Sequence, residues 1–336
     1  MSGGMNAMNG RLKRKRGASL ILAVIALVAV LGAVALAVDV GRLYLTRQYL
    51  VNGCDAAALA GGMELPNQAK ATAKADEAAN TNGMTNHTVS FPADGITGEG
   101  ATKIRVDGQM YVHHTFARVL GFAIRPVGAY AVVVRTGPVS GLTGNVVPWG
   151  VPWYDKSGQP YTYNTGVLYT LKVGSQSTLA DGSIAKTGGN FYPLALERSL
   201  GDGSSGAQVY NEDIKTGFDG AIKVGDITST EPGNMVGPTR QAVVSDANSL
   251  FKQADQQPWA DDTWNNYDYG NPRIVIVPII SPLSNGRTDV EILGFAAFWV
   301  QSCVGQEVSG YFLDYTVPNA GGTGPDYGVF TFRLTE

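Results

Sequence analysis

The stretch "ASLILAVIALVAVLGAVALAV", Ala18 to Val38, runs for 21 residues without a charge. A helix needs about 20 apolar residues to cross the hydrocarbon core of a bilayer. The flanks are unequal: Arg11, Lys13, Arg14, Lys15 and Arg16 precede the run, and a single acid, Asp39, follows it. Basic flanks stay in the cytoplasm. The prediction is a basic cytoplasmic tail (1–17), one transmembrane helix (18–38) and an extracytoplasmic remainder, held by a single pass at the cell (inner) membrane. A cleaved signal peptide is the rival reading, because the basic start and the small residues of "AVALA" suit one. The apolar run is longer than a usual signal core, and the helical pattern does not stop at the small residues. A retained anchor is therefore expected.

The continuation, "VDVGRLYLTRQYLVNGCDAAALAGG", keeps helical spacing. Val40, Leu43, Leu50, Val51, Cys54, Ala57, Ala58 and Gly61 fall on one stripe. Arg42, Arg47, Gln48 and Asn52 fall mostly elsewhere. The membrane helix is expected to run on for about five or six amphipathic turns. Its Ala and Gly tail permits close approach of a helix or sheet, either the chain's own domain or a partner's. Outside the basic tail the chain carries 20 basic against 28 acidic residues. This acidic body offers no basic face for nucleic acid.

The whole segment from Lys15 to Gly62 resembles the N-terminal region of Tad (TadG-like) Flp pilus-assembly proteins. Asp39, Gly41, Arg42, Asp55 and the run Ala56 to Gly61 match that pattern, with Cys54 where Ala is usual. "MYVHHTFARVLGFAIRPVGAYAVV" is similar, more loosely, to the strand, short helix and closing strand of that family. The resemblance implies a pilin-like helix laid half in the bilayer and half against an external head. It does not extend to cleavage by prepilin peptidase, since Leu22 stands where cleaved pilins carry Glu. Nor does it extend to a von Willebrand A metal motif, because "DGSSG" at Asp202 has Gly206 in place of the second Ser.

Further along, Glu64 to Gly83 reads as a polar helix with Pro66 in its first turn. "HTVSF", "TKIRV", "QMYVHH" and "GAYAVVVR" read as strands, with "TFARVLG" as a short helix ending at Gly121. Thr136 to Gly144 reads as a linker. Eight strand-like runs follow, from "NVVPWGVPW" to "YGVFTFRL", interrupted by helices at "AQVYNEDIKTG" and "GPTRQAVVSDANSLFKQA". With 43 glycines in the chain, many at turns between these runs, a largely antiparallel sheet or barrel is favoured. The expected class is α+β: the long N-terminal helix, a small α+β unit within 39–138, then a β-rich extracytoplasmic domain, 139–336.

Little here announces chemistry. His113 and His114 are adjacent and point to opposite faces of a strand, and His87 stands alone. No nucleophile elbow, phosphate loop, His-Glu-x-x-His or Cys-x-x-Cys occurs. The Asp-rich loop around Asp261, Asp262, Asn265, Asn266 and Asp268 offers oxygen ligands for Ca²⁺ without EF-hand spacing, so a polar surface loop is the simpler reading. "TEPGNMVGPT", Thr230 to Thr239, ends in a helix start where amides are exposed, or is simply a tight loop and cap. Cys54 and Cys303 either pair or remain separate thiols. Trp149, Trp153, Trp259 and Trp264 lie in loops as candidates for a binding rim. Phe295, Phe298, Trp299, Tyr311, Phe312 and Tyr315 alternate along two strands, with half expected in the core.

No catalytic, cofactor or metal residue is nominated, and no enzyme is expected. The resemblance implies an assembly factor or minor pilin-like subunit of a Tad/Flp pilus, partnered by the membrane, other pilus subunits and envelope proteins. The alternative is a membrane-anchored adhesin or carbohydrate-binding module, resting on the aromatic and Asp-rich loops.

Overall fold

The computed structural model describes residues 5–93, 102–121, 123–152, 163–172, 193–231, 235–282, 289–305, 307–318 and 320–335. Helix α1 is continuous from Met5 to Gly62 and is long and apolar enough to cross a membrane. From Ser19 to Val38 nearly every side chain is exposed. Helix α2, Gln68–Thr81, follows, capped by Asn67, whose side chain accepts from the Lys70 amide. Pro66 therefore lies just before the cap rather than in the first turn. Ala71, Ala75 and Ala79 form the buried edge of α2.

Three strands come next: β1 (His87–Ser90), β2 (Lys103–His113) and β3 (Ile124–Pro138), all antiparallel. The two expected runs "TKIRV" and "QMYVHH" are one strand, β2. The short helix between β2 and β3 is a 3₁₀ turn, Ala117–Leu120, ending at Gly121 in the left-handed region, φ 90°. The expected linker is partly strand: β3 reaches Pro138, and β4 (Gly141–Thr143) pairs with β7 (Ala221–Lys223).

The rest is β-rich. Short β5 (Val151–Pro152), β6 (Leu168–Lys172) and β8 (Ile227–Ser229) flank the central strands β9 (Ile274–Ile280), β10 (Asp289–Val304) and β11 (Glu307–Leu313). The sheet order is β5-β9-β10-β11-β6, with β8 also on β10. Helices α3 (Leu196–Leu200) and α4 (Ala207–Thr216) lie between β6 and β7. The single helix expected over "GPTRQAVVSDANSLFKQA" is broken into α5 (Val236–Arg240), a π turn (Gln241–Ser245) and α6 (Leu250–Ala254). Asp246 is extended, ψ 156°, and "SDANS" supplies the turn residues that stop the helix.

Strand β10 is buried on both faces. Phe295, Ala297 and Trp299 enter one core, and Ala296, Phe298 and Val300 the other. Among the aromatics expected to be half buried, only Tyr311 stays outside these two cores as a partly buried neighbour. A register shift between Ile292 and Gly294 resets which face each residue takes. Gly294 is needed there because a Cβ would collide with the Tyr327 ring.

The C-terminal strands bridge the two units: Tyr315, Val317 and Val329 stay packed in the core that holds Trp299. β12 (Tyr315–Val317) and β13 (Val329–Thr335) join the first sheet in the order β1-β2-β3-β13-β12. β13 runs antiparallel to β3, with Thr335 opposite Val132. One sheet thus holds both the strand that leads into the β-rich domain and the strand that returns from it. The fold is α+β overall, largely antiparallel outside its helices.

Candidate functional site

The outer half of α1 lies along the first sheet. Strand β2 runs antiparallel to the helix: a Cβ on Gly61 would meet Ile104, one on Gly108 would meet Cys54 and Leu50, and Thr115 beyond the strand end meets Arg42. The packed stripe is Leu50, Cys54, Ala57 and Ala58, each 0 % exposed, with Ile104, Val106, Ala131 and Val133 opposite. The glycines show why the tail is small. A Cβ on Gly53 would sit 2.7 Å from Met84 Sδ, and one on Gly62 2.5 Å from Val133 Cγ1. One on Gly61 would run into Ile104 and come within 2.7 Å of the Ala71 carbonyl oxygen of α2. The Ala-Gly run therefore serves close packing within this chain.

The stripe begins later than its spacing predicts. Val40 is exposed, with Tyr44 and Leu45 beside it, so the first two turns beyond the apolar run offer an apolar face to the surroundings. The first anchor is polar. Asp39 is buried, and its carboxylate accepts from the backbone N–H groups of Thr115 (2.8 Å), Phe116 (3.0 Å) and Ala117 (2.7 Å). These amides open the 3₁₀ turn at the tip of the β2–β3 hairpin, where orphan N–H groups need acceptors. One turn later Arg42 Nη1 donates to Thr115 Oγ1 at 2.8 Å. Arg42 thus reaches the hairpin tip while remaining exposed. Gly41 has open space where a Cβ would be.

The β-rich domain is tied to this unit by side chains as well as strands. Arg135 donates to Asp314 and stacks over Phe330 at 3.6 Å. Thr316 Oγ1 donates to the Leu65 carbonyl, and Lys70 to that of Tyr267. A cleft of about 460 Å³ remains at the seam, lined among others by Glu64, Trp264, Tyr267 and Tyr269. Burial raises the Glu64 carboxyl above its ordinary range. Trp264 is stacked on Tyr311, and Tyr269 on Tyr315, so these rings already use a face within the protein.

The remaining candidates are dispersed. Trp149 is a core residue, 2 % exposed, and Trp153 lies outside the described residues. The four tryptophans therefore do not make one rim. In the Asp-rich loop, Asp262 Oδ2 accepts from the Asp268 amide and from Asn271 Nδ2, and Asp268 faces Lys74 at 3.9 Å. Among the described residues no group of three or more His, Cys, Asp or Glu side chains is placed to hold a metal. His87 bridges Asp76 and the Met84 carbonyl. His113 is exposed at the end of β2, and His114 lies beyond it. Asp202 closes its own turn by accepting from the Ser204 amide. Residues 232–234 of "TEPGNMVGPT" lie outside the described residues, and Thr239 hydrogen bonds to the Met235 carbonyl. No disulfide joins Cys54 and Cys303.

Residues 17–64 match the family model described as putative Flp pilus-assembly TadE/G-like. The match covers the apolar run, Asp39, Arg42 and the whole packed stripe. It supports a structural role in Flp pilus assembly. No curated protein and no solved structure matches the chain.

Proposed function

We propose that this chain is a membrane-anchored, extracytoplasmic assembly factor or minor pilin-like subunit of a Tad/Flp pilus, acting by protein–protein packing with no chemistry of its own. The observation that carries the reading is one unbroken helix, α1, whose family-matched segment is exposed and apolar before Asp39 and packed on a sheet after Leu50. Residues 1–17 form the cytoplasmic tail, 18–38 the single inner-membrane span, and 39–138 and 139–336 the external units. The charge asymmetry about the span supports this orientation. The exposed turn of Val40, Tyr44 and Leu45 is the surface on which the helix of another subunit would pack just outside the bilayer. The two strand connections and the Arg135–Asp314 pair make the β-rich domain a head that turns with the helix. The adhesin alternative loses support with the burial of Trp149 and the stacking of Trp264.

The test is the intact mass of the membrane-extracted protein together with fractionation of sheared surface filaments. Uncleaved protein in the membrane and absent from filaments identifies an assembly factor. A product starting near Ala18 within filaments identifies a pilin-like subunit. A soluble product starting near Val38 overturns the anchor.

A further inference from the structure

The tip of the β2–β3 hairpin is held at a defined height. Asp39 directly follows the 21-residue run, and its carboxylate bonds three amides of that tip at 2.7–3.0 Å. Headgroup layers add roughly 5–7 Å on each side of the hydrocarbon core. A segment in hydrogen-bonding contact with the residue that leaves the core has to lie within that layer. The opposite end of the sheet cannot, because β2 climbs along α1 for 11 residues, from His113 to Lys103, with Ile104 beside Gly61.

The composition of the tip suits that depth. Phe116 is 45 % exposed, Ile124 51 % and Tyr111 61 %. Ile124 pairs with His113 and Tyr111 with Pro126 across the hairpin, so the apolar surface belongs to the strand ends and the turn together. Arg118 and Arg125 are exposed in the same segment, and Arg42 stands beside Thr115. Asp39, the acid in contact with the turn, is covered by amides, which leaves the outward charge of the tip positive. Aromatic and aliphatic side chains beside arginines are the pattern of groups that settle at a membrane interface, with apolar parts among the upper acyl chains and guanidinium groups at phosphates.

We infer that the β2–β3 hairpin tip is a second membrane contact, a foot inserted into the phospholipid headgroup layer beside the transmembrane helix. The occupant of this apolar surface is lipid, because the surface is continuous with the span itself. The foot gives the head two points of support on the bilayer and so restricts tilt and rotation about α1. This rests on residues 18–38 being the span.

The experiment uses the full chain in vesicles of phosphatidylethanolamine and phosphatidylglycerol. Nitroxides are attached at Phe116→Cys and Ile124→Cys in a Cys303→Ser background, Cys54 being buried. Leu27→Cys, within the span, and Ile227→Cys, exposed on the β-rich domain, serve as references. Collision with oxygen and with a nickel chelate is read at each site. The expected result is an oxygen-to-nickel ratio at 116 and 124 several-fold above that at 227 and below that at 27. Ratios equal to that at 227, with 27 in lipid, overturn the foot and leave the anchor standing. Low collision with both reagents at 116 and 124 overturns lipid as the occupant and identifies a protein cover. A water-like ratio at 27 overturns the span, and the foot with it.

Discussion

The two halves of α1 share one unbroken backbone and little else. From Ser19 to Val38 the helix mixes Leu, Ile and Val with Ala and Gly and is exposed all round: Leu20 is 67 % exposed and Leu31 59 %. From Asp39 to Gly62 the helix is small on one side, and that side is buried, with Leu50 at 0 %. The glycines make the contrast sharper. Gly32 has nothing within 4 Å of where a Cβ would stand, whereas Gly53, Gly61 and Gly62 each have a neighbour already there. Apolarity alone does not separate a helix bound for lipid from one bound for a protein core. Sidedness and close fit do, because lipid accepts any packing shape and a sheet accepts only what leaves it room.

Paired substitutions at matched positions test that distinction. Leu50→Ala removes a fully buried side chain and is expected to cost about 2–5 kcal/mol in the unfolding of the external unit. Leu31→Ala leaves that unfolding unchanged. Both are read from urea unfolding of the full-length protein in detergent, followed by near-UV circular dichroism. Equal effects would erase the distinction between the halves. Gly61→Ala comes next: relieving its clash with Ile104 and the Ala71 carbonyl costs roughly 1–3 kcal/mol, despite the gain of about 0.5–1 kcal/mol from replacing a helical glycine. Gly32→Ala, like Leu31→Ala, leaves that unfolding unchanged, since it lies in the exposed half and meets no neighbour. A stabilised Gly61→Ala variant would mean that α1 and α2 are not in close contact.

How much of this was legible depends on how far apart the partners lie. The apolar run, the stripe from Leu50 onward, the turn at Gly121 and most of the strands announce themselves through local periodicity. The burial of Asp39 does not, since its three donors come 76 to 78 residues later. The return of β13 to β3 is equally silent, because Thr335 and Val132 are related only by the sheet. Alternation along β10 predicts one buried face, but cores on both sides bury two. Val40 fits the helical stripe and is nevertheless exposed, because the sheet beside α1 closes in polar contacts with Asp39 and Arg42 at that level. The match to a family covers 17–64, the apolar run and the packed stripe. The β-rich domain, where ligand chemistry would have to be sought, has no such guide.

Two buried aspartates carry the comparison beyond the helix. Asp39 sits among three backbone donors and is at ease as an anion. Asp213, on α4, is 7 % exposed, and no donor reaches its carboxylate among the described residues. Lys215 pairs with Glu212 and Asp246 instead. Burial first, and then the acids Glu197, Asp219, Glu212 and Asp202, push the Asp213 carboxyl up to about 7. A group whose native pKa is raised holds its proton longer folded than unfolded. Its contribution is therefore full below the ordinary carboxylate range, near pH 4, and is lost as pH rises to about 7. The loss is on the order of 1–3 kcal/mol. Asp213→Asn is expected to match the parent protein at pH 3 and to be more stable than it by that amount at pH 8, in the same urea assay. A difference that does not change with pH would show that Asp213 is ionised throughout, and that the β-rich domain accommodates a buried charge as readily as the amides around Asp39 do.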